Sequence, residues 1–275
     1  MHTIVVKIGG GEGIDPMIAV PEIAELVRAG VRVVLVHGGS HETNVLAEAL
    51  GHPPETITSP SGHQSRRTDR RTLEIFEMAY CGRVNKAVVE GLRAASVDAV
   101  GLSGLDAGIW QGRRKHAIRA MDDEGRTRII RDDLSGRVDS VDGDFLGVLL
   151  DAGRTPVLTP PAVTPEGVAI NVDADRAAAA TAAALRADEL LLLSNVPGVL
   201  ADPARPETLI RRVGDDALES VRAAARGRMK NKVLAAEEAI AGGVPRVAIA
   251  SASGGDAIAR ARSGSGTVFA AAVAS

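Results

Sequence analysis

Residues 3–8 are an apolar, β-branched run closed by Gly9, Gly10 and Gly11, and residues 14–29 then carry apolar side chains at helical spacing up to Gly30. That order predicts a strand, a glycine loop and a helix. Residues 31–36 repeat the theme, ending in His37, Gly38, Gly39 and Ser40 before a helical stretch at about 41–50. Two strand–glycine–helix units in succession predict parallel strands joined by right-handed crossovers. Residues 52–67 are rich in Pro, Ser, Thr and Gly and read as a loop. Asp69 reads as the N-cap of a long helix whose buried stripe is Leu73, Phe76, Tyr80, Val84 and Val88.

Further along, 97–102 reads as a strand. Residues 110–131 read as a β-ribbon turning at Asp122, Asp123, Glu124 and Gly125, leaving the main layer to cover a site. A helix at 145–152 and a strand at 155–159 follow. Residues 169–175 then lead into an alanine-rich helix to about 187, and 189–193 is apolar enough for a strand buried on both faces. The alternation closes with a helix at 229–241, a strand at 246–250, a helix at 256–262 and a strand at 267–269. No low-complexity linker and no repeat interrupts it, so the 275 residues read as one α/β domain.

Composition sharpens this picture. Aromatic residues are 2% of the chain against 45% hydrophobic, so the core is aliphatic, as suits helices packed on a parallel sheet. A net charge of -3 argues against general nucleic-acid binding and leaves any anionic partner to local basic clusters. Cys81 is the only cysteine, which rules out an intrachain disulfide or a thiolate metal site and points to a reducing cytoplasm, with Cys81 itself a small buried hydrophobe. The amino terminus carries neither a signal-peptide pattern nor an apolar run of about 20 residues, so a soluble, cytoplasmic protein without a membrane partner is expected. His37, His41, His52, His63 and His116 lack metal-ligand spacing and read as turn or surface residues, with no protein-bound metal.

The candidate chemistry lies in short polar segments at strand ends. A lysine inside an apolar strand is costly to bury unless an anion is supplied, so Lys7 should face an anion-binding cleft. Gly9 and Gly10 follow it, either as a plain turn or as a nest of backbone amides for phosphate, and Gly38 and Gly39 offer a second nest one strand along. No Walker or dinucleotide-binding spacing is present. Arg66 and Arg67 close the polar loop, where a guanidinium can grip a carboxylate or lie solvated. Asn171, Asp173 and Asp175 alternate at the mouth of a helix. Capping explains Asp173 alone, and Asp175 can take hydrogen bonds from two lysines. Lys232 lies off the apolar face of the 229–241 helix, which carries Met229, Val233, Ala236 and Ile240, and can reach back into a cleft, with Lys230 the competing cation. Asn195, Val196, Gly198, Val199 and Leu200 follow the most apolar strand, as a plain turn or as a seat for a nucleotide. Two lysines one phosphoryl group apart can stabilise a transferring phosphoryl group. Arg113, Arg114 and Lys115 add cations on the ribbon, solvated or docking an acidic partner.

Taken in order, Lys7 with its two glycines, His37-Gly38-Gly39, Arg66 with Thr68 and Asp69, Asn171-x-Asp173-x-Asp175, and Met229 with Lys232 and Val233 resemble the amino-acid kinase superfamily, acetylglutamate kinase branch. Gly51 to Pro54, Thr72 to Met78, Gly101 to Asp106 and Gly112 to Lys115 resemble the group that phosphorylates L-2-aminoadipate held on an amino-group carrier protein in lysine synthesis. The resemblance covers essentially the whole chain. It implies a three-layer αβα sandwich with a mainly parallel eight-stranded sheet, with a substrate lobe at about 1–187 and an ATP lobe at about 188–275. It also implies a homodimer using ATP with Mg2+ to make an acyl phosphate. By resemblance Lys7 and Lys232 stabilise the transition state and Asp175 organises them. Gly38, Gly39, Ser40, Arg66 and Asn171 bind substrate; Gly9, Gly10, Asn195, Val196, Gly198, Val199, Leu200 and Met229 bind ATP. The small acidic carrier docks on Arg67, Arg113, Arg114 and Lys115.

Ser40, Asp173 and Asn195 depart from the acetylglutamate pattern, making free N-acetyl-L-glutamate in arginine synthesis the alternative substrate and carrier-bound glutamate a further one. A catalytically silent regulatory relative is the non-enzyme alternative, against which Lys7, Asp175 and Lys232 speak. The lack of an extra amino-terminal helix implies no feedback by arginine, and no regulatory domain of the aspartokinase type is expected.

Overall fold

The structure, a computed structural model, describes residues 1–60, 62, 64–122, 124–214 and 217–270; His63 and Asp123 lie outside the described residues. Its centre is an eight-stranded sheet in the spatial order Arg212–Val213, Gly266–Ala270, Arg246–Ser251, Glu189–Ser194, Thr3–Ile8, Arg32–His37, Thr155–Thr159 and Ala99–Ser103. All neighbours run parallel except Arg246–Ser251 with Gly266–Ala270. Both faces are covered, which is why Thr3–Ile8 and Glu189–Ser194 are buried at every position.

Strand alternation divides the core in two. Val5, Val34, Val36, Leu190, Leu192 and Ile249 face helices Gly143–Asp151, Ala174–Ala184 and Met229–Ala241. Ile4, Val6, Ile8, Leu35, Leu191 and Leu193 face helices Val20–Arg28, Asn85–Ala94 and Ala257–Ser263. This is a three-layer αβα sandwich. Side chains two apart on a strand share a face, so Lys7 sits on the Val5 face, under the first turns of the helices beginning at Ala174 and Met229.

Two four-stranded sheets flank this body among the described residues: Ala169–Ile170, Ala162–Val163, Trp110–Arg114, Gly136–Val141; and Gln64–Arg66, Thr56–Thr58, Ile118–Met121, Thr127–Ile130. They correct two expectations. The 52–67 segment is not a plain loop, because Thr56–Thr58 pairs antiparallel with Gln64–Arg66. The 110–131 ribbon is not one hairpin either: Trp110–Arg114 pairs with Gly136–Val141, and only Ile118–Met121 with Thr127–Ile130. Trp110 decides the split. It is fully buried, and its Nε1 donates to Thr181 Oγ1 at 3.0 Å, anchoring its strand on the alanine-rich helix.

The long helix begins as expected, Asp69 accepting from the Thr72 amide. It is not regular throughout. Arg70–Glu77 is followed by a π-helical segment, Met78–Val84, before Asn85–Ala94 resumes. Leu73, Phe76, Tyr80, Val84 and Val88 are buried along it. Cys81 is half-buried rather than buried, and burial pushes its thiol up to about 12, so it stays protonated and inert.

Candidate active site

One cleft of about 1140 Å³ opens at the carboxyl ends of the parallel strands, where open α/β sheets place ligands. Its centre is a buried triad. Lys7 Nζ lies 2.6 Å from Asp175 Oδ1, and Lys232 Nζ donates to Asp175 Oδ2 at 2.7 Å. Lys7, Asp175 and Lys232 are 5%, 6% and 7% exposed, so water screens them little. Lys230 is exposed, and the competition between the two lysines is settled in favour of Lys232.

Each charge is placed by its own element. Lys7 follows strand alternation. Asp175 is in the first turn of its helix, where Asp173 caps by accepting from the Asp175 and Arg176 amides at 3.0 Å each. The Asp173 carboxylate also accepts from Asn231 Nδ2 at 2.7 Å, and Arg176 Nε donates to Glu238 at 2.9 Å. These ties lock the helix carrying Asp175 to the one carrying Lys232.

Burial works to raise the Asp175 pKa, but Lys7 and Lys232 outweigh it and hold the carboxyl well below the usual range. Burial lowers the Lys7 pKa, and the like charge of Lys232 adds to that against the pull of Asp175. Two cations on one carboxylate leave a buried surplus of positive charge, which an anion entering the cleft relieves.

The two glycine loops form one floor. A Cβ on Gly10 would lie 2.0 Å from the Gly39 nitrogen, and one on Gly38 would lie 2.8 Å from the Gly10 nitrogen, so backbone meets backbone. Ser40 Oγ and the His41 amide both donate to the Gly10 carbonyl, at 2.9 and 2.8 Å. Gly9, Gly10, Gly38 and Ser40 line the cleft.

Arg66 also lines the cleft, its Nη2 donating to the Ser40 carbonyl and to Asn44 Oδ1. Its Nη1 is buried without a partner among the described residues. Burial lowers the Arg66 pKa, opposed by Tyr80 and joined by Arg228. Asn171 is fixed from the side by Nδ2 donating to Thr68 Oγ1 at 3.1 Å. On the far side Asn195, Val196, Gly198, Leu200 and Met229 join the lining.

Five expected site residues lie off the lining. Gly39 lies behind the lining, because its Cα packs on the Tyr80 ring. Val199 is fully buried with its amide donating to Thr267 Oγ1. Arg113 and Arg114 are outside the lining, Arg113 paired with Asp139 and Arg114 donating to the Asp133 carbonyl, while Lys115 lines the cleft. Arg67 is off the lining too and is paired with Glu55, Asp69 and Asp132.

His37 is no turn or surface residue. It is fully buried, Nδ1 lying 2.9 Å from the Gly38 carbonyl and Nε2 3.1 Å from Asn85 Nδ2. Asn85 Nδ2 also donates to the Val157 carbonyl, which fixes the amide orientation and makes Nε2 the acceptor. Burial lowers its pKa to about 4, so a neutral imidazole holds the Gly38 peptide. Tyr80, Asn231 and Arg228, all on the lining, were not legible as site residues from the sequence pattern, in which Tyr80 reads as core.

The amino acid kinase family profile matches residues 2–251. The chain belongs to the amino acid kinase family. Within this family it is 54% identical over 268 residues to "[LysW]-aminoadipate kinase" of Deinococcus radiodurans, covering 98% of this chain and 91% of that protein. It is 49% identical over 267 residues to the protein of the same name from Thermus thermophilus, covering 96% and 99%. Among solved structures, N-acetylglutamate synthase from Neisseria gonorrhoeae, complexed with coenzyme A and N-acetyl-glutamate, matches with a TM-score of 0.79 at 25% identity, over 99% of this chain and 60% of that one.

Proposed function

We propose that this kinase uses ATP to phosphorylate the side-chain carboxylate of L-2-aminoadipate held on a small acidic carrier protein. The observation that carries the reading is the Lys7–Asp175–Lys232 triad, buried at the junction of two sets of cleft residues. The names of the similar proteins support the substrate. The cleft volume exceeds the roughly 300–1,000 Å³ of a typical single-ligand pocket, leaving room for donor and acceptor together.

In this reading residues 1–187 serve mainly the acceptor and 188–275 the nucleotide. Arg66 takes a substrate carboxylate through Nη1, which has no partner among the described residues, aided by Asn171 and Ser40. Asn195, Val196, Gly198, Leu200 and Met229 seat the nucleotide, and the Gly9–Gly10 backbone lies along its phosphates, the Gly10 amide facing them while the Gly9 amide donates to the Leu193 carbonyl. The attacking carboxylate is ionised at neutral pH, so no general base is required. A carboxylate oxygen bonds to the γ-phosphorus, the γ-phosphorus bond to the bridging oxygen breaks, and its electron pair leaves on ADP. Lys7 and Lys232 stabilise charge on the transferring group, while Asp175 keeps both ammonium groups aimed at it. Magnesium would arrive with the nucleotide and would offset phosphate charge.

Arg66, Lys115, Arg226 and Arg228 give the cleft lining a basic character that suits an acidic carrier. Arg67, Arg113 and Arg114 lie beyond the lining as a docking rim. A homodimer without arginine feedback completes the proposal, to be checked by sedimentation and by assay with added arginine. Trapping the acyl phosphate with hydroxylamine tests the chemistry: a hydroxamate on carrier-linked aminoadipate that depends on MgATP supports it, and ATP consumption without hydroxamate contradicts it.

A further inference from the structure

We infer that Tyr80 is a substrate-binding residue, its hydroxyl donating a hydrogen bond to an oxygen of the carrier-linked substrate beside the group that Arg66 holds. The inference deepens the proposed function and rests on it.

Three observations place the side chain for this work. Tyr80 lies within the π-helical segment Met78–Val84, between stretches of regular helix. A π turn inserts an extra residue, is rare, and is frequent at functional sites. Here it sets the Tyr80 ring against Gly39, where an added Cβ would lie 2.9 Å from Cδ2, so this glycine is the residue that admits the ring. The opposite wall is Phe76, stacked at 3.8 Å between centroids and 22° between planes. Packed against both, the ring has little rotamer freedom, and its hydroxyl is pre-positioned.

The aromatic composition makes the stack informative. The chain has five Phe, Tyr and Trp residues in all, and apart from Trp110, Phe269 and the partly buried Phe145 its sheet core is filled mainly by Ala, Val, Ile and Leu. Two of the five are spent on this one wall of the cleft, beside Arg66, Asn44 and Ser40.

The hydroxyl chemistry then follows. A phenol oxygen can accept and donate at once. The Gly39 backbone amide and the charges of Arg66, Asp173 and Arg228 surround it, the amide favouring negative charge on the oxygen. Burial pushes its pKa up to about 12 against the opposing effects of Gly39 and Arg66, so the proton stays on the oxygen. That proton is available to the cleft. Arg66 beside it supplies a charged donor whose buried Nη1 has no partner among the described residues. A charged and a neutral donor side by side match a carboxylate next to a second oxygen acceptor, as in an amino dicarboxylate whose amino group is acylated.

The test is Tyr80→Phe, which keeps the ring, the Phe76 stack and the contact with Gly39 and removes one oxygen. Steady-state kinetics with MgATP and carrier-linked aminoadipate should show KM for the carrier-linked substrate raised about tenfold, the worth of one hydrogen bond. KM for ATP should be unchanged. Calorimetric titration of the carrier-linked substrate without nucleotide should show the same loss of affinity. An unchanged KM and affinity for that substrate overturns the inference. Equal rises in both KM values also overturn it, because they mark a structural role. Turnover by the wild-type enzyme in the same assay reports on the proposed function separately, so failure of one is distinguishable from failure of the other.

Discussion

Lys7 and Lys232 come from opposite ends of the chain and meet on one carboxylate, each taking a different oxygen of Asp175 at 2.6 and 2.7 Å. Truncating either removes a donor aimed at developing charge. Lys7→Ala and Lys232→Ala should each lower kcat by about 10²–10³-fold, as for other pre-organised donors, with smaller changes in KM. Unchanged phosphoryl transfer in Lys232→Ala would contradict the assigned role.

Asp175→Asn removes the counter-charge and leaves two lysines buried together. Breaking such a site by removing one partner costs about 3–5 kcal/mol, so the variant should unfold at clearly lower denaturant concentration. Added nucleotide should restore part of that loss, because its phosphates replace the missing anion.

The lowered pKa of Lys7 gives a pH dependence with a defined sign. Activity needs the ammonium form and is lost as pH rises through its pKa, so the alkaline limb of kcat/KM for ATP should lie below the ordinary lysine value of about 10.4. Bound phosphate favours the charged lysine and raises that pKa. The alkaline limb of kcat should therefore lie at higher pH than that of kcat/KM, and coincident limbs would argue against Lys7 as the phosphate-facing cation.

His37 governs acid stability. It titrates near 6.5 in the unfolded chain and at about 4 in the fold, so between those values the unfolded state binds more protons and stability falls as pH falls. The loss attributable to this group between pH 7 and pH 4 is about 3 kcal/mol. Denaturant titrations at the two pH values should show a loss smaller by about that amount in His37→Gln than in the wild type.

Much of the fold could be read from the chain because strand positions obey a simple period. Residues 155–159 and 229–241 have the bounds expected, and Lys7, Asp175 and Lys232 meet as expected because each stands in the first turn of a helix or at a strand end. The missed parts depend on distant partners. Thr56–Thr58 has one buried residue and makes a strand only against Gln64–Arg66 and Ile118–Met121. Trp110 left its ribbon for Thr181, and His37 was drawn inside by Asn85, neither visible in local spacing. Tyr80 fits a helical stripe, so its cleft face was hidden by a pattern that was itself correct.

Backbone contact between the two glycine loops makes Gly10→Ala a sharp probe, since its Cβ would meet the Gly39 backbone. The loops must separate, and kcat/KM for both substrates should fall by at least about tenfold, an estimate for about 1.4 kcal/mol of lost transition-state stabilisation. Gly147→Ala, in a half-buried helix position with open space where the Cβ would stand, should leave kinetics unchanged and gain about 0.5–1 kcal/mol of stability.

The central claim is phosphoryl transfer to a carboxylate presented on a carrier. Its most direct test compares MgATP-dependent kcat/KM on carrier-linked aminoadipate, carrier-linked glutamate and free N-acetylglutamate. The account predicts the highest value on carrier-linked aminoadipate, with a smaller preference over carrier-linked glutamate, since one methylene is worth only about 1–3 kcal/mol. Activity on free N-acetylglutamate alone would contradict it.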